Sequence, residues 1–334
     1  DQWPLFDIRA SRLAEDEYRL HFGFNMQLFD LASIELIAAD CKYLYHGETA
    51  CLEPLEISFR DLVLCEHQFG TVPEAKRSDR YWRERFSLLP EAIDVTDVSS
   101  GGGKPQFVHH HSVLEREDWR EIKGIAKQHG ITASMVVFAA FNEVLSAYGG
   151  RQHYTLESRV FRRLPLHKNI LGVAGQFIAG IVSEVDFRGK STFRERCQGL
   201  EGQVWRDLEN GYVDAARLWQ GHRAMPPKTP AIVYTSTVAR FENFVQFGAE
   251  PPMKWFGEQV FSCYQMPNLG IEFYVVESDG ALESHWFVND ALFAEGKSAK
   301  MFADYLGLLN ALATEEDAWH KGPVFSQHYL VGDA

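Results

Sequence analysis

The sequence predicts an α/β fold with large mixed sheets, and three observations carry that prediction. Beyond Gln106, stretches of strand period alternate with stretches of helix period. Ile271 to Val276 and Leu282 to Val288 read as extended and flank Ser278-Asp279-Gly280, a good hairpin turn. No Gly-rich phosphate loop follows any strand.

The elements follow in order. Trp3 to Ala10 reads as an interior strand, Glu15-Asp16-Glu17 as a turn, and Tyr18 to Phe24 as the next strand. A hairpin so early, with no preceding element to cover it, suggests a missing upstream portion. Leu31 to Tyr45 reads as an amphipathic helix carrying Leu31, Ile34, Ile37, Ala38 and Cys41. Two stretches read as exposed linker: Glu66 to Arg80, with Gly70, Pro73 and mixed charge, and Asp94 to Gln106, with Ser99-Ser100-Gly101-Gly102-Gly103. Between them Asp79 to Leu88 is a short helix with Tyr81, Trp82 and Phe86. Phe107 to Leu114 is a strand. Glu115 to Gln128 is a helix with Trp119, Ile122 and Ile125 on one face, stopped by Gly130. Ser134 opens a strongly apolar helix that ends at Gly149-Gly150. Tyr154 to Phe161 and Gly180 to Phe187 are strands, Thr192 to Leu208 is a helix, and Ala231 to Val238 is a buried strand. A last helix runs from about Gly296 to Leu312, and there is no internal repeat.

Bulk properties narrow the function class. A chain of 334 residues is long enough for two lobes or domains, and 46% apolar residues supply a large core. The net charge of −13 argues against nucleic acid or anionic membrane as the main partner, since both need clustered Lys and Arg. No apolar run approaches the ~20 residues of a membrane span, and no signal peptide opens the chain. Cys41, Cys51, Cys65, Cys197 and Cys263 are odd in number with no C-x-x-C, so reduced, mostly buried thiols and a cytoplasmic location are expected.

Asn25-Met-Gln-Leu-Phe-Asp30-Leu-Ala-Ser33 is the most informative stretch. It ends an extended run and starts a helix, where polar groups can face a cleft while the flanking elements stay packed. Asp30 or Ser33 as a helix cap is the plain alternative. The spacing resembles D-x-x-x-x-D-x-x-S, with Asn25 at the first Asp. Further segments match in order: Tyr81-Trp82-Arg83-Glu84-Arg85 resembles Y-W-x-x-x-L, and His129-Gly130-Ile131-Thr132-Ala133-Ser134 resembles H-G-V-T-x-x. Arg163-Leu164-Pro165-Leu166-His167 resembles N-R-x-P-x-H, and Gly175-Gln176-Phe177 stands at G-D-F. Val233-Tyr234-Thr235-Ser236 resembles V-F-T-S, and Tyr264-Gln265-Met266-Pro267 through Glu272 resembles S-Q-T-P-Q-V-W-L-D. The ordered set resembles the heterocyclization domains of nonribosomal peptide synthetases, in the condensation-domain superfamily, over nearly the whole chain.

The resemblance implies a chloramphenicol-acetyltransferase-like, two-lobed pseudo-dimer with a tunnel between its lobes. Residues 1–100 would form a partial N-terminal lobe and 101–334 the C-terminal lobe. The phosphopantetheine arms of two carrier proteins would enter from opposite faces, with no cofactor bound by the domain itself and an adenylation domain expected in the same polypeptide. The implied reaction joins an acyl thioester to a carrier-bound Cys, Ser or Thr, then cyclodehydrates the amide to a thiazoline or oxazoline. The family's Thr and Asp candidates map to Thr235 and Glu272, the latter longer by one methylene. Asp30 would pair with Arg163 at the lobe junction, where Asn25, Asp30, Thr235 and Glu272 should converge. Ser33 completes the motif, and Gln176 and Gln265 are tunnel candidates. Asn25 and Gln176 in place of acids, and Glu157, Arg159 and Arg162 in place of uncharged residues, leave open a condensation-only or impaired, carrier-docking domain. His109-His110-His111 superficially resembles H-H-x-x-x-D-G but lies after the Tyr81-Trp82 helix and lacks the Gly. A zinc site there is not expected, because alternate strand residues point to opposite faces and no second His/Cys cluster has suitable spacing.

Overall fold

A computed structural model describes residues 4–52, 54–69, 72–97, 105–215, 231–238, 252–263, 266 and 268–322. They fall into two compact units. One holds the described residues of Asp1–Thr71, Phe161–Ile178 and Phe241–Phe261; the other holds those of Val72–Val160, Ala179–Arg240 and Ser262–Ala334. Packing therefore groups segments that are distant in sequence, rather than cutting the chain once.

In the first unit, β1 (Phe6–Arg12) and β2 (Tyr18–Phe24) pair antiparallel, from Phe6 opposite Phe24 to Arg12 opposite Tyr18. The first strand is exposed along its whole length, so it is an outer ribbon and not the interior strand its apolar residues suggest. Then come α1 (Leu31–Tyr45) and α2 (Phe59–Phe69). Leu62 of α2 packs with Ile170, Val173 and Phe177, and Phe59 meets the Phe177 ring edge-on at 5.2 Å.

The second unit is built on a six-stranded sheet. Its strands are β3 (Phe107–Leu114), β4 (His153–Phe161), β5 (Ile178–Asp186), β6 (Ala231–Ser236), β7 (Leu269–Ser278) and β8 (Ala281–Asn289), in the order β3-β8-β7-β6-β4-β5. The pairs β3–β8 and β7–β8 are antiparallel, while β6 runs parallel to both β4 and β7, so the sheet is mixed. Asp279 and Gly280 both take positive φ in the β7–β8 turn, the conformation a type I′ hairpin turn requires.

Odd and even strand positions separate the two faces of this sheet. Tyr154, Leu156, Tyr234, Phe273 and Trp286 enter one core. That core is completed by α4 (Arg116–Gln128), α5 (Ala133–Gly149) and α7 (Lys297–Thr314), through Trp119, Phe141, Met301 and Tyr305. The strong apolarity of α5 is thus core packing, and among the described residues no single helix is long and apolar enough to cross a membrane. Gly150, at φ +63°, ends α5 in the left-handed region.

The stretch read as linker from Glu66 to Arg80 is helical on both sides of residues 70 and 71. Pro73 opens α3 (Pro73–Phe86) at a first-turn position, where its missing N–H costs nothing. Ala75, Ser78, Trp82 and Phe86 then fall on one buried stripe. The stretch from Asp94 is also packed at its start: Ile93 and Val95 are buried, and Asp97 binds Lys297 at 2.7 Å. Ser99-Ser100-Gly101-Gly102-Gly103 lies outside the described residues. Of the five cysteines only Cys197 is buried; Cys51, Cys65 and Cys263 are exposed, because they sit on surface segments and not on core faces.

The helix α3 joins α6 (Phe193–Glu209) through a buried polar cluster. Asp207 Oδ1 accepts hydrogen bonds from Tyr81 Oη at 2.6 Å and Gln203 Nε2 at 3.0 Å, with Arg85 Nε at 3.4 Å. Its Oδ2 is buried without a hydrogen-bond partner. Burial pushes the carboxyl up to about 6 from 3.8, against the pull of Arg85. Below about pH 4 it is protonated in both folded and unfolded chains. Between about pH 4 and 6 the unfolded chain gives up its proton first, so this group's stabilisation is lost as pH rises through 6, by about 3 kcal/mol. The wild type should lose that much against Asp207→Asn between about pH 4 and 7 in urea unfolding. A gap independent of pH would mean that Asp207 titrates normally.

Candidate active site

Each unit carries one cluster of motif residues. In the first, Asp30 caps α1 by accepting from Ser33 N at 2.8 Å, because an extended residue before the first turn aims its carboxylate at the free amides there. The same carboxylate accepts from Arg163 Nη2, at 3.1 Å on Oδ1 and 3.4 Å on Oδ2, and from Phe177 N at 3.3 Å. Ser33 Oγ accepts from Gly175 N at 2.9 Å. Gly175 has no space for a side chain, since a Cβ would collide with the Phe59 ring. Arg163 Nη1 donates to Ile170 O at 3.1 Å and Val173 O at 2.7 Å, and its guanidinium lies 4.1 Å from the centre of the Phe177 ring. Asp30, Ser33 and Arg163 are all buried. Burial pulls Arg163 below its ordinary value, and Asp30 pushes it back. Capping and ion pairing are thus one arrangement here, not alternatives.

Two other motif positions serve the backbone. Asn25 Oδ1 accepts from Gln27 N at 2.9 Å, closing a turn before α1. Gln176 donates to Met26 O at 2.7 Å and accepts from Ile178 N at 2.7 Å. Gln265 lies outside the described residues.

The second cluster lies on the sheet face opposite the core. Thr235 Oγ1 donates to Glu272 Oε1 at 3.3 Å, and both residues are buried. Arg159 reaches the same oxygen through Nη1 at 3.3 Å, touches Met266 Sδ through Nη2 at 2.9 Å, and approaches Glu157 at 3.7 Å. Burial raises Glu157 above its ordinary value, and Arg159 opposes the rise. A hydroxyl and a carboxylate in contact, away from bulk water, can hold or pass a proton. Arg159 fixes the carboxylate by charge-assisted contact. The resemblance gave Arg159 no such role. Its signal in the sequence is a pair of opposite charges, Glu157 and Arg159, two residues apart on one face of a half-apolar strand.

Cross-strand register extends this face. Arg159 stands beside Thr235, Thr235 beside Tyr274, Tyr274 beside His285, and His285 beside His111. Alternation does turn His110 to the core face, where its Nε2 meets Ser298 Oγ at 3.1 Å. It leaves His109 and His111 together, and β8 adds Glu283 and His285, a pairing that local spacing does not reveal. Burial pushes the His109 imidazole down to about 4, and repulsion from His285, His111 and His110 adds to the shift.

The condensation-domain family model matches residues 1–319. The chain is 29% identical over 326 residues to pyochelin synthetase PchF of Pseudomonas aeruginosa, covering 96% of this chain and 18% of that protein. It is 26% identical over 322 residues to phenyloxazoline synthase MbtB of Mycobacterium tuberculosis, covering 94% of this chain and 22% of the relative. The fold is similar to the EpoB cyclization-docking bidomain of Sorangium cellulosum, with a TM-score of 0.81 at 26% identity over 95% of this chain and 64% of that one. The architecture is therefore the chloramphenicol-acetyltransferase-like α/β fold, and the chain spans under a quarter of the length of these two relatives.

Proposed function

The chain belongs to the condensation-domain family, and from that premise we propose that it is a heterocyclization-type domain of a nonribosomal peptide synthetase. Its substrates are an acyl thioester on one carrier protein and Cys, Ser or Thr on another. Both are presented on phosphopantetheine arms, with an adenylation domain in the same polypeptide and the assembly in the cytoplasm. By chain position residues 1–100 are a partial N-terminal lobe and 101–334 the C-terminal lobe; the location of the sheet from β3 to β8 within 101–334 supports that assignment, while packing groups the described residues of 72–100 with that sheet and Phe161–Ile178 with the N-terminal unit. The observation that carries the reading is the buried Thr235–Glu272–Arg159 contact. The two synthetase relatives named above, one of them a phenyloxazoline synthase, support it as well.

The chemistry divides into two steps with different needs. Attack of the amine on the thioester is helped mostly by positioning, which can supply about 7–11 kcal/mol. In the second step the acceptor's side-chain thiol or hydroxyl adds to the new amide carbonyl. The carbonyl oxygen then leaves as water, its two protons coming from that thiol or hydroxyl and from the amide N–H. These transfers need a group that takes a proton and returns it. Thr235 Oγ1 donates to Glu272 Oε1 in the resting arrangement, so the pair relays the proton between nucleophile and departing oxygen, with Arg159 keeping the carboxylate in place.

A second reading, condensation without cyclization or carrier docking alone, draws on one observation. The side chains of Asn25 and Gln176 bind neighbouring backbone, a structural service that needs no acid. The test is to incubate the protein with an acyl-loaded carrier and a Cys-, Ser- or Thr-loaded carrier and to weigh the loaded products. A product lighter than the linear amide by one water is the expected result. The linear amide alone would select condensation only, and no transfer would select docking.

A further inference from the structure

We infer that His111, Glu283 and His285 form a binding site for one divalent ion of the zinc class, with His109 as a positioning residue. The inference is independent of the proposed reaction. The donor atoms of His111, Glu283 and His285 all lie within 4.8 Å of one another. Glu283 Oε2 faces two imidazole nitrogens, His285 Nε2 at 3.6 Å and His111 Nε2 at 4.0 Å. Two imidazoles and a carboxylate are a donor set that zinc takes in sites that keep one position open for water.

The strands make this arrangement. His111 and His285 are register partners on β3 and β8, and Glu283 follows His285 by two residues on the same face. The imidazole rings of His111 and His285 lie 4.4 Å apart and nearly parallel, and the Nε2 atoms of both stand near the same carboxylate oxygen, Glu283 Oε2. His109 Nε2 stands 3.1 Å from His285 Nδ1. A hydrogen bond there, with His285 Nδ1–H donating, leaves the His285 Nε2 lone pair directed toward Glu283. This is the outer contact that ligating histidines commonly make. An ion binding its donors at about 2.1 Å holds them about 3.4 Å apart. The His111 side chain is 42% exposed and free to make that adjustment, while His285 is 17% exposed and anchored. Solvent can reach the site, which gives the ion an entry path. The ion would tie two neighbouring strands together across the ladder.

Zn²⁺ is titrated into the chelator-stripped full chain against a chromophoric competitor, and thermal unfolding is followed in parallel. One ion per chain is expected, with a rise in Tm of a few degrees at saturating Zn²⁺. His111→Ala and His285→Ala should each weaken binding at least about tenfold and abolish the rise in Tm. His109→Gln should weaken binding by about tenfold while keeping the one-ion stoichiometry. His320→Ala, on an exposed turn with its ring beside His129, should bind like the wild type. Absence of stoichiometric Zn²⁺ binding overturns the inference. So does a His111→Ala/His285→Ala double variant that stays folded and binds as the wild type does, because other histidines would then hold the ion.

Discussion

Thr235→Ala and Glu272→Gln should accumulate the linear amide while the ring product falls by roughly 10²–10⁴-fold, the usual loss when a positioned acid–base group is removed. Thr235 donates to Glu272 Oε1, so either change breaks the same contact. The two variants should therefore resemble each other, and the double variant should be little worse than either alone. Amide formation should hold up, because it depends mainly on how the two thioester-linked substrates are placed. Glu272→Gln keeps the shape of the side chain, and Arg159 keeps Glu157 nearby at 3.7 Å, so the variant should fold. Intact-mass measurement of the carrier-bound products separates linear from cyclized species by one water. Loss of both products would move these residues into condensation or into the fold. Undiminished ring formation in both variants would remove them from the mechanism.

Asp30→Ala should cost about 3–5 kcal/mol, because it leaves a buried guanidinium without its partner. That is a large share of the roughly 5–15 kcal/mol that holds a typical protein folded. Asp30 closes the first turn of α1 and pairs with Arg163 at once, and Phe177 N donates to its second oxygen. Asp30→Asn keeps a capping oxygen and should lose less. Asp30→Ala/Arg163→Met removes both charges and should recover part of the loss, since the Arg163 side chain already lies against Phe177. Denaturant unfolding of the four proteins checks the series. If Asp30→Ala unfolds like the wild type yet forms no product, Asp30 acts in the chemistry and not in the framework.

The parts of the fold legible in the sequence are those where local pattern and tertiary burial agree. The β7–β8 hairpin, α4, α5 and α7 have distinct ends; α4 and α7 carry one apolar face each, and α5 an apolar run buried all round from Met135 to Leu145. Glu66 to Arg80 misled for a physical reason. Its charged residues cover the solvent side of α3, and Pro73 is a helix starter there as readily as a breaker. β1 misleads in the other direction, because apolar letters such as Phe6 and Ile8 suggest a burial that the strand does not have. In the candidate site, motif order brought out Asp30, Arg163, Thr235 and Glu272. Arg159 and the His111–Glu283–His285 group needed strand register, which no local window contains. Asn25 and Gln176 show the reverse: letters that depart from a motif are accounted for once their hydrogen bonds to nearby backbone are known.

The alternation of β6, β7 and β8 also sets out where this chain could be altered. Tyr234, Phe273 and Trp286 lock one side of each strand into the core. Thr235, Tyr274 and His285 hang from the same strands on the other side, one residue away. A library confined to the second set would vary the polar face while the packed ladder beneath it stays constant. Residues one step out of phase would instead test the fold's tolerance to cavities. Redesign of reactivity and redesign of robustness are thus addressable by parity along three strands, and a combinatorial search that respects it should retain far more folded members than one that does not.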